Sequence, residues 1–281
     1  MRAALFLILI ATPAAAHADA HAEAGSVLVA VLLLATAVAY VAGARRLGAR
    51  AGYMRSALFI SGLAFTAAFL LSPLDAWAAR YLSAHMIQHF GLMLLAAPLI
   101  VMGRPGVTLL WALPRAGRRA AGGLGQGRPG RAWRAVTSPI GAFATYFLVL
   151  WLWHAPPLYQ AALGQDAVHD LQHATFLAAA LIFWTAVLAP RPGEGRAAAL
   201  LAIFLTALQS CVLAALVTLS ETVWYPAYDT GPFGMTALGD QQLGGLIMWV
   251  PCGAVLIGAA VATLSSLLRD LDRRNGRAEA S

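Results

Sequence analysis

The stretch HMIQHFGLMLLAAPLIVM (residues 85–102) places two histidines, four positions apart, at the head of an uncharged apolar run. Such a run predicts a helix that crosses a membrane. A second motif of the same form, HDLQH (169–173), also precedes an apolar run. Four of the seven histidines in the chain therefore lie in two H-x-x-Q-H motifs, each at the start of a predicted membrane helix.

The composition of the whole chain supports a location in lipid. Of the 281 residues, 60% are hydrophobic and 11% are charged, whereas a soluble domain carries about 25% charged residues. Backbone groups within lipid must be paired inside the chain, and apolar runs of this length achieve this as helices. We predict an all-α integral membrane protein with seven transmembrane helices, at residues 26–44, 56–72, 84–102, 138–155, 168–189, 198–220 and 240–268.

The N-terminus has the pattern of a secretory signal peptide. Arg2 precedes an apolar segment at 3–10, and A-x-A patterns follow between residues 14 and 18. This order is typical of a cleaved leader, and an uncleaved first helix is the alternative. The predicted organisation is a signal peptide at 1–18, a seven-helix membrane domain at 19–268, and a cytoplasmic tail at 269–281.

The arginines predict the orientation of the helices. The chain has no lysine, and most of its arginines fall in the tail and in alternate loops, which lie on one side of the membrane. The positive-inside rule makes that side cytoplasmic, so the N-terminus is outside and the C-terminus inside. Basic residues spread along the membrane in this way indicate a lipid bilayer rather than nucleic acid as partner. We expect the cytoplasmic Arg/Gly-rich loop at 103–137 to be a flexible linker facing lipid headgroups.

A weak internal repeat relates the hairpins on the outer side. The segment SPLDAWAARYLSAHMIQH (72–89) aligns without a gap to PPLYQAALGQDAVHDLQH (156–173), and the segment around GDQQLGG (239–245) fits more loosely. We infer a leading helix followed by three pseudo-repeated helical hairpins. The first turns of the third, fifth and seventh helices should then converge around one axis.

The two motifs have the spacing of metal ligands. Residues four apart share one face of a helix, so each motif can direct two imidazoles at one point, and imidazole suits copper, zinc, iron and nickel. Paired histidines inside a membrane favour a metal site over isolated structural roles. The predicted ligands are His85, His89, His154, His169, His173 and Asp240. Candidate residues around these ligands are Asp170, Gln88, Gln172, Gln241, Gln242 and Met248.

Two further groups of residues could bind metal. Met86, Met93, Cys211 and Cys252, with Met248, offer soft sulfur ligands, although buried sulfur more often fills a core. If cleavage follows Ala18, the new N-terminus begins with Asp19 and carries His21 at its third position. The free amine, two backbone amides and this imidazole would form a square-planar site for Cu(II) or Ni(II).

Four segments resemble a known family: HMIQHFGLMLLAAPLIVMGRP, WLWHAPPLYQAAL, VHDLQHATFLAAALIFW and DQQLGGLIMWVP. They are similar in form and order to the multi-pass CtaG-type cytochrome c oxidase assembly factors. The resemblance implies a bacterial inner-membrane protein, not an enzyme, that is needed for active haem–copper oxidase. It also implies a role in copper supply, with an oxidase subunit or another copper-handling protein as partner. The copper of such oxidases is held by histidines towards the outer side of the membrane.

Two alternatives from other functional classes remain at this stage. A seven-span hydrolase would hold zinc with three histidines and use Asp240 or Asp170 to activate water, although neither motif is H-E-x-x-H. A copper transporter would need polar residues that continue to the cytoplasmic side. The inner halves of the helices offer little beyond Thr206, Gln209 and Ser210.

Overall fold

The computed structural model describes residues 13–124, 127–188, 190 and 195–278, with side chains for 25–123, 127–188, 190 and 195–273. Most of the predicted signal peptide lies outside these residues, and so do the side chains of Asp19 and His21. The described chain is helical, apart from loops and one isolated bridge between Thr230 and Thr236. The α-helices are α1 (Pro13–Leu47), α2 (Tyr53–Leu70), α3 (Pro73–Ala78), α4 (Leu82–Phe90), α5 (Ala97–Met102), α6 (Pro105–Ala112), α7 (Arg115–Leu124), α8 (Gly127–Val136), α9 (Pro139–His154), α10 (Pro156–Gly164), α11 (Asp166–Leu188), α12 (Arg196–Thr218) and α13 (Ala237–Ala278).

Six of the seven predicted spans overlap a single α-helix, and the third overlaps three consecutive helical segments. Within the described residues, six helical segments are long and apolar enough to cross a membrane, or seven if α8 and α9 count as one span bent by 71°. The ambiguity concerns α9, whose 16 residues extend about 24 Å at 1.5 Å per residue, slightly less than the hydrocarbon core of about 30 Å. Large apolar side chains such as Leu28, Leu148 and Val250 face outward, as expected of helices in lipid.

Five helical segments form a ring around the main apolar core. The segment that begins as α4 contacts α13, α13 packs along α12, α12 contacts α9, α9 contacts α11, and α11 closes the ring against α5. The core within it includes Leu94, Tyr146, Phe183 and Leu256. Outside the ring, α2 packs on α5, and α1 packs on α2 and α6. The ring places the starts of α4, α11 and α13 and the end of α9 at one end of the bundle, called here the histidine end.

The third predicted span is not a continuous α-helix. Between α4 and α5, residues Gly91–Ala96 form a π-helical segment. Pro98 accounts for the irregularity, because it has no N–H to bond the preceding turn and its ring crowds the carbonyl four residues back. In a π-helix the carbonyl of Met93 would accept a hydrogen bond from the N–H of residue 98, which proline lacks. It accepts instead from Trp184 Nε1 at 2.8 Å. The backbone at Met93 is therefore held by α11 rather than by its own helix.

The 103–137 segment corrects an expectation. It was predicted to be a flexible linker, but its described residues form α6, α7 and α8. Alanine and arginine favour helices, and arginines on one face of α7 and α8 suit helices that lie along a membrane surface. Arg46 of α1 donates to the last carbonyls of α6, including that of Ala112 at 2.7 Å, which anchors this layer to the bundle. Similarly, the predicted tail continues α13 as far as Ala278.

The packing of α13 against α12 requires a glycine at position 245. A Cβ added there would lie 2.8 Å from the Thr218 nitrogen and 3.0 Å from the Ala214 oxygen, closer than real Cβ contacts. Both atoms belong to the backbone, so neither can rotate away. In contrast, a Cβ at Gly253, two turns further along the same helix, would meet nothing within 4 Å.

We therefore expect Gly245→Ala to separate α13 from α12 and to lower the free energy of unfolding by about 1–3 kcal/mol, the usual cost of overpacking. The matched control Gly253→Ala should leave stability unchanged or slightly raised, because alanine is the better helix former. Thermal unfolding in detergent would measure both variants. Equal midpoints for the two variants would contradict the close contact at Gly245.

Candidate metal centre

Five histidines meet at the histidine end of the bundle. In α4 and α11 alike, the motif histidines occupy the fourth and eighth residues, so each pair shares one helix face, and His154 is the last residue of α9. The His85 ring centroid lies 5.2 Å from that of His169 and 5.8 Å from that of His173. The His89 centroid lies 5.3 Å from His173 and 6.3 Å from His154. The two H-x-x-Q-H motifs therefore face each other.

Three of these histidines have the closest approach to metal geometry. His85, His169 and His173 each offer one ring nitrogen, and the three nitrogens lie within 4.8 Å of one another. An ion with bonds of about 2.0–2.1 Å requires its nitrogen ligands to be within roughly 4.2 Å of each other. Small rotations of the imidazoles would close that difference. His89 and His154 stand beside the trio, near enough to act as additional or exchanging ligands.

Hydrogen bonds at His154 leave one nitrogen available for a metal. Its Nδ1 lies 2.8 Å from the Leu150 carbonyl oxygen. A carbonyl can only accept, so Nδ1 carries the proton and Nε2 has a free lone pair. His154 is buried, and its Nε2 has no hydrogen-bond partner among the described residues. An imidazole that donates one N–H to a carbonyl and leaves the other nitrogen free is the usual arrangement of a metal-bound histidine.

Tyr228 determines which nitrogen of His85 carries the proton, as the Leu150 carbonyl does for His154. The Tyr228 hydroxyl donates to the Ala78 carbonyl at 3.1 Å, and its oxygen lies 3.0 Å from His85 Nδ1. Since the hydroxyl has one proton, His85 Nδ1–H must donate to the tyrosine oxygen, which leaves the lone pair on His85 Nε2. That nitrogen is 2.9 Å from His89 Nε2, which therefore donates to it while no ion is bound.

Several imidazole nitrogens of the cluster are buried without a partner. Within the described chain, no hydrogen bond reaches His89 Nδ1, His169 Nε2 or His173 Nε2. An unpaired buried polar atom costs about 1–3 kcal/mol, so several at one point need an explanation. A metal ion coordinated by these nitrogens would provide one. All the candidate atoms are imidazole nitrogens, a donor set that suits copper or zinc better than magnesium or calcium.

Asp240, predicted as a direct ligand, occupies a different position. Its two carboxylate oxygens accept from the backbone N–H groups of Leu82 at 2.6 Å and Ser83 at 3.2 Å. The fully buried carboxylate thus caps the positive N-terminal end of α4 from the start of α13. It also lies outside the trio of nitrogens that could share an ion. The structure therefore supports a capping role for Asp240 and gives no support to direct ligation.

Of the residues predicted to surround the ligands, Gln172 and Met248 lie close to the histidines. The others form hydrogen bonds elsewhere or are exposed. Gln172 is fully buried in the turn between His169 and His173, and Met248 lines a pocket that reaches His89. Gln88 donates to Asp75 and to the Phe69 carbonyl, both at 2.8 Å. Gln241 and Gln242 bond backbone groups of the loop between α12 and α13. Asp170 is exposed towards Gly25 of α1, and no described hydrogen bond joins it to a histidine.

Three tyrosines at the site were missed by the sequence analysis. The ring of Tyr159 lies 5.3 Å from that of His85, Tyr225 donates to the His154 carbonyl at 2.8 Å, and Tyr228 bonds His85. Burial raises the pKa of all three hydroxyls above the ordinary value near 10, so they stay protonated at neutral pH. In the loosely fitting third copy of the repeat, Tyr228 follows Pro226 by two residues as Tyr159 follows Pro157, and this correspondence could have identified two of them.

Comparison with known families supports the sequence resemblance. The chain matches the family model described as cytochrome c oxidase caa3 assembly factor (Caa3_CtaG) over residues 38–270, which is most of its length. The matched region includes all five clustered histidines and Asp240. No curated protein and no solved structure is significantly similar to the chain.

The capping role of Asp240 can be tested by mutation. Asp240→Ala leaves the Leu82 and Ser83 N–H groups buried and unpaired, so we expect the free energy of unfolding to fall by about 1–3 kcal/mol. Asp240→Asn keeps one oxygen acceptor, so its free energy of unfolding should fall by less. Thermal unfolding in detergent measures both, with the exposed Asp229→Ala as the matched control. Asp240→Ala and Asp229→Ala should differ clearly, and equal stability would contradict the cap.

Proposed function

We propose that this chain, which belongs to the cytochrome c oxidase caa3 assembly factor family, binds copper at its histidine end and passes it to an assembling haem–copper oxidase. The proposed ligands are His85, His169 and His173, with His89 and His154 as additional or exchanging ligands. The observation that carries the proposal is the close approach of one ring nitrogen each from His85, His169 and His173, beside buried imidazole nitrogens that have no hydrogen-bond partner in the described chain.

Copper is the metal that best connects the site with the family. The family is one of oxidase assembly, which implies a non-enzymatic role and interaction with oxidase subunits. Neutral imidazole binds both Cu(I) and Cu(II), so the site could hold copper in either oxidation state. His89 and His154, beside the three proposed ligands, permit transfer by ligand exchange. In such a transfer, each bond from copper to this protein is replaced as a bond from copper to the oxidase forms.

The proposed orientation puts the histidine end on the outer side of the bacterial inner membrane. Support comes from the arginines of α7 and α8, which belong to the segment predicted to be cytoplasmic. In this orientation seven helices would span the membrane, and copper would enter from the periplasm. Cleavage after Ala18 would remove the first six residues of α1 together with the leader.

Zinc is the competing metal because it accepts the same imidazole ligands. The hydrolase alternative also requires a carboxylate to activate water. Of its two candidates, Asp240 already bonds the N-terminus of α4 through both oxygens, and Asp170 is exposed. Metal identity thus separates the proposals more directly than any activity assay.

Metal content is the primary test. Detergent-purified wild type, supplied with Cu(I) under anaerobic conditions, should retain copper that the His85→Ala/His169→Ala variant loses, as measured by mass spectrometry of the metal. Leu171→Ala, an exposed position on α11, controls for mutation of the same helix. His21→Ala separately tests the predicted N-terminal site. Equal copper in wild type and the double variant would refute the proposal, and zinc that resists exchange by copper would favour the zinc alternative.

A second test concerns the Tyr228 hydroxyl. Tyr228→Phe removes the acceptor that orients His85, and loss of such a partner typically weakens metal affinity by about 10–100-fold. We expect weaker copper binding with unchanged stoichiometry in a competition titration against a chromophoric chelator. Tyr53→Phe, at a residue 88% exposed, should bind like wild type. Wild-type affinity in Tyr228→Phe would show that this hydroxyl does not orient a ligand.

A further inference from the structure

A small pocket lies directly beneath the histidine cluster and is lined by sulfur. Its volume is about 40 Å³, and its walls come from α4, the π-helical segment, α9, α12 and α13. Four of the lining side chains contain sulfur, namely Met86, Met93, Met248 and Cys252. His89 lines the same pocket, and its Nδ1 is a buried nitrogen without a hydrogen-bond partner in the described chain.

The tautomer of His89 suits a metal on this side. Its Nε2 donates to His85, because His85 Nδ1–H is already bonded to Tyr228 and His85 Nε2 can only accept. The remaining nitrogen of His89, Nδ1, therefore carries a lone pair. His89 thus lies beside the histidine trio, bonded to His85, and also lines the pocket.

Two of the three segments that supply sulfur to the pocket carry an interruption caused by proline. Met93 lies in the π-helical segment before Pro98, and its carbonyl is held by Trp184. Cys252 directly follows Pro251, which lies inside α13 and removes a hydrogen bond from the helix. Short π-helical segments within α-helices are frequent at functional sites.

The composition of the lining suits a soft cation. The volume exceeds the roughly 10–15 Å³ that one water needs, so the pocket has room for a single ion. Four of the ten lining side chains carry sulfur, and the polar groups beside them are His89, Ser210 and the Tyr146 hydroxyl. Thioether and thiolate ligands are soft donors that suit Cu(I), and a thiolate balances the single charge of that ion.

We propose that this pocket is a second metal site, which holds Cu(I) through Met93, Met248, Cys252 and His89 beneath the histidine centre. The inference rests on the proposed function for the identity of the ion, whereas the site itself is argued from the pocket. When Cu(I) binds, the Cys252 thiol loses its proton to solvent and a copper–sulfur bond forms, with no change in oxidation state. His89 would then pass the ion between the sulfur and histidine sites.

The test uses silver(I), a redox-inert probe with the ligand preferences of Cu(I), on full-length protein in detergent. We expect wild type to bind two equivalents, Met93→Leu/Met248→Leu/Cys252→Ala to bind one, and His85→Ala/His169→Ala to retain the sulfur-bound ion. Met→Leu exchanges nearly conserve volume, so the fold should persist. Met54→Leu, at an exposed position of α2, is the control.

Silver-edge X-ray absorption of wild type gives a second measurement that does not depend on folding of a variant. Sulfur neighbours around silver are expected, and their absence would overturn the second site, as would equal silver binding by wild type and the triple variant. The two proposals can fail separately. If only the sulfur variant loses silver, the pocket site stands and the histidine centre is refuted. If only the histidine variant loses silver, the histidine centre stands and the pocket site is refuted.

Discussion

Polar groups buried in an apolar helix bundle must be paired within the chain, and this constraint organises the histidine end. The contact on which the rest depends is the Asp240 carboxylate on the Leu82 and Ser83 N–H groups. It joins the start of α13 to the start of α4, and so fixes the height and rotation at which α4 presents His85 and His89. Without this contact, α4 would begin with unpaired donors in a buried environment.

The loop between α12 and α13 completes the frame. Tyr225 bonds the His154 carbonyl, Tyr228 bonds both the Ala78 carbonyl and His85, and Gln241 holds the loop through Thr222 and Trp224. These bonds satisfy the backbone of the surrounding helices and leave several imidazole nitrogens unpaired. A rigid frame around free lone pairs is the arrangement that metal binding requires.

Part of this arrangement could be predicted from local sequence. Uncharged apolar runs identified the helices and placed both H-x-x-Q-H motifs at helix starts, where they are found, and the repeat alignment predicted that these starts converge. The role of Asp240 could not be predicted, because its partners lie about 160 positions away in the chain. The same is true of Tyr228, whose partner His85 is 143 positions distant. Pro98 was a local indication of the π-helical segment, but the pairing of Met93 with Trp184 depends on how α11 packs.

The helical content of the 103–137 segment was missed for a different reason. Its glycines and prolines suggested a linker, yet its arginines and alanines support short helices, and its contact with the bundle depends on Arg46 of α1. Composition could not indicate that contact. A basic loop can therefore be ordered by a neighbouring helix as well as by its own sequence.

The central claim is that His85, His169 and His173 together bind one copper ion. The most direct measurement is anomalous diffraction at the copper absorption edge from crystals of the copper-loaded protein. We expect an anomalous peak about 2.0–2.1 Å from one nitrogen of each histidine. Copper bound elsewhere in the protein, with no peak between these three residues, would contradict it.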